Sequence, residues 1–265
     1  MTEPFQIKSS KQFSCFNQFD VVAGMTSRDD GYSDVPFASL NMGLHVSDES
    51  NKVLQNRKSV ANELQFPMDD WVMGEQVHGT SVKVVTPAYK GKGAFHHKEA
   101  VSGVDGLITK ETDILLTAFY ADCVPLFFIE PESGWLGIAH AGWKGSVNEM
   151  AKKMVDSLIE WNVKPEAIFL TIGPCISQKH YEVDQHVIDH ISDVYRPLVS
   201  QKTSTNKFNL DLKELNKLIA IDSGILSENI EITNFCTYEE EASFFSHRRD
   251  HGQTGRMLAY IGRKG

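Results

Sequence analysis

The sequence predicts an α+β protein: mixed β-sheet layers covered by helices, in a single domain spanning residues 1–265. Three observations predict it. Apolar strand-like runs follow one another directly in "DILLTAFYADCVPLFFIEPESGWLGIAHA" (113–141). Segments of helical periodicity are interspersed irregularly, which argues against a regular βαβ array. No repeat, low-complexity tract or linker divides the 265 residues, and that length can bury a substantial core.

Along the chain, "VVAGMTS" (21–27) reads as a strand. In 50–66, Val53, Arg57, Val60, Ala61 and Leu64 recur at helical spacing, so Arg57 lies on an apolar face and is expected to cap or pair structurally. "WVMGEQVHGTSVKVV" (71–85) reads as two strands around a His-Gly-Thr turn. The 113–141 run gives three strands, with Pro-Glu-Ser-Gly as the turn between the last two. A helix then starts at Ser146, whose S-x-x-E spacing to Glu149 predicts a capping box; Val147, Met150, Ala151, Met154 and Leu158 mark its apolar face. "AIFLTIG" is a strand, helices are expected at about 184–196 and 211–222, and "MLAYIG" closes the chain as a strand. The long irregular stretches are 27–47, 87–103 and 197–207; loops of this length are often functional.

Composition excludes several classes. A formal net charge of -9 argues against nucleic acid or an anionic membrane surface as partner. No run of about 18 apolar residues predicts a membrane span. The start "MTEPFQIKSS" lacks the order of a signal peptide, and the four cysteines form no CxxC pair, so a cytoplasmic protein with thiols or metal ligands is expected.

Three short segments carry chemistry: "GEQVHGTSV" (74–82), "YADCVPLFF" (120–128) and "GIAHAGWKGS" (137–146). His78, Cys123 and His140 each sit at the edge of an apolar strand beside Gly, Ala or a turn. Two imidazoles and a thiolate suit zinc, and three protein ligands leave a fourth position for water, which the metal acidifies enough to supply hydroxide near neutral pH. Small neighbours such as Gly79, Ala139, Ala141 and Gly142 allow close approach to the backbone. The same residues also admit a metal-free Cys–His nucleophile and base, or simply a buried thiol and hydrogen-bonded histidines, and spacing does not separate these readings.

"SLNMGLHVSD", "QVHGTSV", "ADCVPLFF", "GIAHAGWKGS", "IGPCI", "YEV" and "FFSHRRDHGQTGRML" resemble, in this order and from about residue 20 to the C-terminus, the YfiH/YlmD-type laccase-domain family. These are bacterial proteins, with a human relative, first labelled multicopper polyphenol oxidases and later assigned purine nucleoside activities. The resemblance implies that His78, Cys123 and His140 are the metal ligands. It also implies phosphorolysis of adenosine, inosine and S-methyl-5'-thioadenosine, together with adenosine deamination.

Deamination at purine C6 needs an activated water and a proton shuttle; Asp122 is the first candidate for the shuttle and Glu182 the second. The H-x-E with P-C-x-x-C pattern of cytidine-type deaminases is absent. Phosphorolysis needs donors for phosphate, and "SHRRDHGQTGR" supplies Arg248, Arg249 and Arg256; Asn41 and His45, in the long N-terminal loop, are placed to touch ribose or phosphate. Copper fits the His2Cys set, but the 10 histidines show no His-x-His pairs for the cluster a laccase needs. Two other functions stay open: an amidase acting on cell-wall precursors through a Cys123 nucleophile, which relatives of this family also bear, and a non-enzymatic metal-binding module.

Overall fold

The computed structural model describes residues 2–265, which form mixed sheets covered by helices. One six-stranded sheet has the spatial order Gln6–Ser9, Gln12–Ser14, Val22–Thr26, Met257–Arg263, Ile114–Tyr120, Trp71–Met73. The second runs Ile230–Ile232, Phe169–Ile172, Val124–Glu130, Trp135–Ala141, Gly106–Thr109, Val82–Val84. Both mix antiparallel pairs with parallel edge pairs, as where Trp71–Met73 runs parallel to Ile114–Tyr120 and Val82–Val84 parallel to Gly106–Thr109.

The central strands are apolar along their whole length because both of their faces are covered. From Ile114–Tyr120, residues Ile114, Leu116, Ala118 and Tyr120 join Phe127, Ile129, Leu136 and Ile138 of the second sheet in one inter-sheet core. Leu115 and Phe119, on the opposite face, meet Val60, Ala61 and Leu64 of the helix Ser50–Leu64. The outer face of the second sheet, with Val124, Leu126 and Phe128, packs on Met150, Met154 and Leu158 of Met150–Ile159 and on Leu215 and Ile219 of Leu212–Asp222. The order is helix, sheet, sheet, helix. Each fully buried Phe or Ile in it contributes about 1.5–3 kcal/mol. Among the described residues no helix is long and apolar enough to cross a membrane.

Several expectations are corrected. The strands either side of the His-Gly-Thr turn belong to different sheets, so residues 74–81 form a crossover rather than a hairpin turn. No capping box forms at Ser146: a short helix, Trp143–Val147, starts earlier, and a second restarts after Glu149, whose φ is 62°. The Ser146 hydroxyl is engaged instead by the Asn216 side-chain amide at 2.8 Å, a buried demand that sequence spacing does not reveal. The helix expected at 184–196 is two pieces, Gln185–Asp189 and Arg196–Val199. Residues 197–207 are not irregular, because Ser200–Ser204 pairs antiparallel with Lys207–Leu210 in a small third sheet. Its exposed polar residues left no apolar alternation to read.

Arg57 is fully buried with no carboxylate partner. Its guanidinium donates to the carbonyls of Met42 (2.9 Å), Gly93 (2.9 Å) and Ala94 (2.6 Å), tying the loops 27–47 and 87–103 together.

Candidate metal centre and cleft

The chain leaves the first sheet and enters the second at Ala121–Cys123, and it crosses between the sheets again at 74–81. These two crossings and the end of Trp135–Ala141 meet at one place. There the donor atoms of His78, Cys123 and His140 all lie within 4.8 Å of one another. The two imidazoles stand edge to face, with ring centroids 4.8 Å apart. Tetrahedral bonds of about 2.0–2.3 Å set donors roughly 3.5 Å apart, so the trio reaches an ion after side-chain adjustments of about an ångström. Two nitrogens and a soft sulfur suit a borderline divalent ion.

Asp105 builds much of this geometry, and the sequence reading missed it. Its buried carboxylate accepts hydrogen bonds from the backbone N–H groups of Val77 (3.1 Å), His78 (3.0 Å) and Gly79 (2.8 Å), which holds His78 at a φ of 59°. Its Oδ1 also lies 2.9 Å from Nδ1 of His140. A carboxylate on the outer nitrogen fixes the tautomer and turns the inner nitrogen toward the ion. Burial alone would raise the Cys123 thiol, but His140 and His78 beside it hold it below the usual thiol range. Burial works against a charged His140, yet the Cys123 sulfur and Asp105 hold its pKa above the ordinary imidazole value. Without an ion, each group of the pair favours the charged form of the other. Gly142 leaves room here, since a Cβ would press on Cys123 Sγ and His78 Cδ2 at 3.1 Å and crowd both donors.

Two hollows meet at this centre. One, of about 310 Å³, is lined largely by apolar and aromatic groups including Val77, Trp143, Ile176, Tyr181 and Leu212. The other, of about 550 Å³, is polar and takes in His45, His97, His247, Arg248 and Arg256. Both volumes fall within the range of about 300–1,000 Å³ typical of ligand sites.

The remaining predicted residues divide. His45 lines the polar hollow, its ring 5.2 Å from those of both His97 and Phe119. Arg248 lines it too, with Nη1 on the Glu182 carbonyl at 3.0 Å and its guanidinium over the Tyr181 ring at 5.1 Å. Arg256 is held by Nη1 on the carbonyls of Thr254 (2.8 Å) and Gly255 (2.9 Å), and its other side-chain N–H groups have no acceptor among the described residues. Asp122 borders both hollows, but its two carboxylate oxygens accept from Thr237 Oγ1 and the Arg248 backbone N–H, each at 2.7 Å.

Three candidates stand outside the cleft. Glu182 is exposed and its carboxylate accepts from Thr203 Oγ1, while its neighbour Tyr181, just before the strand Glu182–Asp184, lines the apolar hollow instead. Asn41 is fully buried and its amide serves Gly43 N–H, the Arg256 backbone N–H and Asp48. Arg249 spends its guanidinium on Asp250 and on the carbonyls of Thr237, Tyr238 and Phe244. The structure adds Trp143, Tyr181, His97 and Phe119 to the cleft, none of which the sequence reading named as a site residue.

Fold and site together define a protein of two packed six-stranded sheets with a His–Cys–His donor centre where the chain crosses between them. The chain belongs to the family described as multi-copper polyphenol oxidoreductase laccase, the YfiH/YlmD-type laccase-domain proteins, whose model matches residues 22–264. It is 45% identical over 252 residues to purine nucleoside phosphorylase YlmD of Geobacillus stearothermophilus, covering 92% of this chain and 90% of that one. It is 42% identical to the Bacillus subtilis protein of the same name, covering 94% and 90%. Among solved structures, YlmD from Geobacillus stearothermophilus superposes with a TM-score of 0.95 at 42% identity over 100% of both chains. Hypothetical protein YfiH of Bacillus licheniformis gives 0.97 at 38% identity, over 99% of this chain and 100% of that one.

Proposed function

We propose that the chain is a metal-dependent purine nucleoside phosphorylase. It cleaves adenosine, inosine and S-methyl-5'-thioadenosine to the free base and ribose 1-phosphate (or its methylthio analogue), and it also deaminates adenosine. The observation that carries this reading is the meeting of a three-donor centre with two arginines in one cleft. The names of the relatives support it.

His78, Cys123 and His140 would hold the ion; the donor set suits Zn2+, and Cu2+ could take the same place. When bound, the ion would supply Lewis acidity toward a substrate oxygen. Arg248, Arg256 and His45 take the phosphate; Asn41 and Arg249 support them from behind by shaping the loops. Trp143 and Tyr181 offer apolar walls to the nucleoside and exclude water. In phosphorolysis a phosphate oxygen bonds to ribose C1' as the C1'–N9 bond breaks. The electron pair leaves with the purine, which is then protonated. In deamination a water oxygen adds at C6 and ammonia departs. Asp122 acts here chiefly by positioning the Cys123 turn and the Arg248 backbone.

The Cys123–His140 pair also favours a second reading, a cysteine-nucleophile amidase on cell-wall precursors. Purified protein loaded with one equivalent of Zn2+ separates the two. Adenosine with phosphate should yield adenine and ribose 1-phosphate, with some inosine. Adenine release that does not depend on phosphate would exclude phosphorolysis. A trapped acyl group on Cys123 from a muramyl peptide would establish the amidase.

A further inference from the structure

A second histidine group lies outside the cleft. We propose that His186 and His190 form a separate, solvent-facing transition-metal site, which takes a borderline divalent ion such as Cu2+, Ni2+ or Zn2+ through two imidazole nitrogens beside the indole of Trp143.

The two residues stand four apart on the helix Gln185–Asp189, His190 being its C-cap, so they share one face of a turn. Asp184 secures the other end by accepting the Val187 N–H at 3.2 Å. Both side chains are exposed, and their ring centroids are 4.7 Å apart at an interplanar angle of 71°.

The decisive detail is a hydrogen bond. His190 Nδ1 lies 2.7 Å from the carbonyl oxygen of His186. A carbonyl oxygen only accepts, so Nδ1 carries the proton and Nε2 keeps its lone pair. That outer contact is the one metal-binding histidines make to fix ring and tautomer, and the His140–Asp105 pair has the same form. The His186 ring has no hydrogen-bond partner among the described residues, so its nitrogen is free to turn to a shared ion.

No third protein donor joins them among the described residues. The only group of three potential ligands among the described residues is His78, Cys123 and His140. The ion at His186 and His190 would complete its shell with water, bind more weakly than at the triad, and follow the order in which Cu2+ exceeds Ni2+ and Zn2+. Trp143 connects the two places. Its ring stands edge-on to His186 at 6.1 Å and to His190 at 5.9 Å, and the same side chain lines the cleft beside Cys123. An ion here therefore sits against the cleft wall, in reach of the indole.

The site does not depend on the phosphorylase reading, and its test needs no substrate. Protein holding one equivalent of Zn2+ is titrated with further Zn2+ by calorimetry, and with Ni2+ while tryptophan fluorescence is followed. The wild type should show a second, weaker class of one ion per chain, and Ni2+ should quench emission. His190→Ala should weaken that class by at least about tenfold. His186→Ala with His190→Ala should abolish it and leave the first equivalent in place; both positions are exposed, one in a short helix and one at its C-cap, so alanine opens no buried gap. Trp143→Phe should remove most of the quenching while calorimetric binding persists. A double variant that still binds the second ion, or a wild type with a single class up to millimolar metal, would overturn the proposal.

Discussion

The two walls of the cleft are built differently. The metal wall stands on strand ends and sheet crossings: His140 closes a fully buried strand, and His78 and Cys123 lie where the backbone passes between sheets. The cationic wall stands on loops: His45, Arg248 and Arg256 come from segments without regular structure, held by backbone carbonyls and by polar groups such as the buried Arg57 and Asn41 and the half-buried Arg249. A metal centre tolerates errors of a few tenths of an ångström, and a packed sheet sandwich supplies that rigidity. A doubly charged anion accepts a wider range of donor positions, which loops can provide. Changes to the first wall should therefore strike ion binding and kcat, and changes to the second should fall on KM.

Cys123→Ala tests the strongest form of this contrast. It should remove the tightly held ion and lower base release at least about a hundredfold, read by elemental analysis and by chromatography of the products. Asp105→Asn keeps every direct ligand, yet it should weaken ion affinity by about 10–100-fold and lower the melting temperature, since the turn at 77–79 loses its charged acceptor. An unchanged affinity would show that the crossings alone place the donors.

The protonation state sharpens the same side. An ion must displace the proton from His140, whose pKa is raised, while Cys123, whose pKa is lowered, already offers a thiolate. Affinity should therefore fall as pH falls below the raised imidazole value. About one proton per ion should be released near neutrality, measurable by calorimetry in buffers of different ionisation enthalpy.

On the cationic wall, Arg256→Met should raise the phosphate KM by about tenfold with a much smaller change in kcat. Glu182→Gln marks the bottom of the scale: an exposed carboxylate outside the cleft should leave both constants within about twofold. A large loss of kcat there would restore it as a proton shuttle.

Much of the fold was legible because its core strands are long and uninterrupted. The 113–141 run announces three buried strands, and 50–64 shows its helical face residue by residue. The polar Ser200–Ser204 strand was not legible, because neither of its faces is apolar. In the site, His78, Cys123 and His140 stand out as chemically unusual residues in apolar settings, and the structure gathers them. Asp105 offers no such signal. An aspartate before a glycine reads as an ordinary turn, and only the fold brings it against His140, 35 residues away. Asn41 and Arg249 show the opposite failure: polar residues in long loops look like ligand contacts, yet the loops' own N–H groups and carbonyls consume them. Tyr181 was missed by one position: it precedes the strand that begins at Glu182 and lines the cleft where Glu182 faces solvent.

Asp105 also governs how the centre would fill. A single carboxylate clasps the turn that carries one imidazole and the ring of the other, so these two nitrogens travel as one preassembled half. An ion bound there would meet that half largely arranged and would need only a lone sulfur from a separate bend, with little ordering left to do.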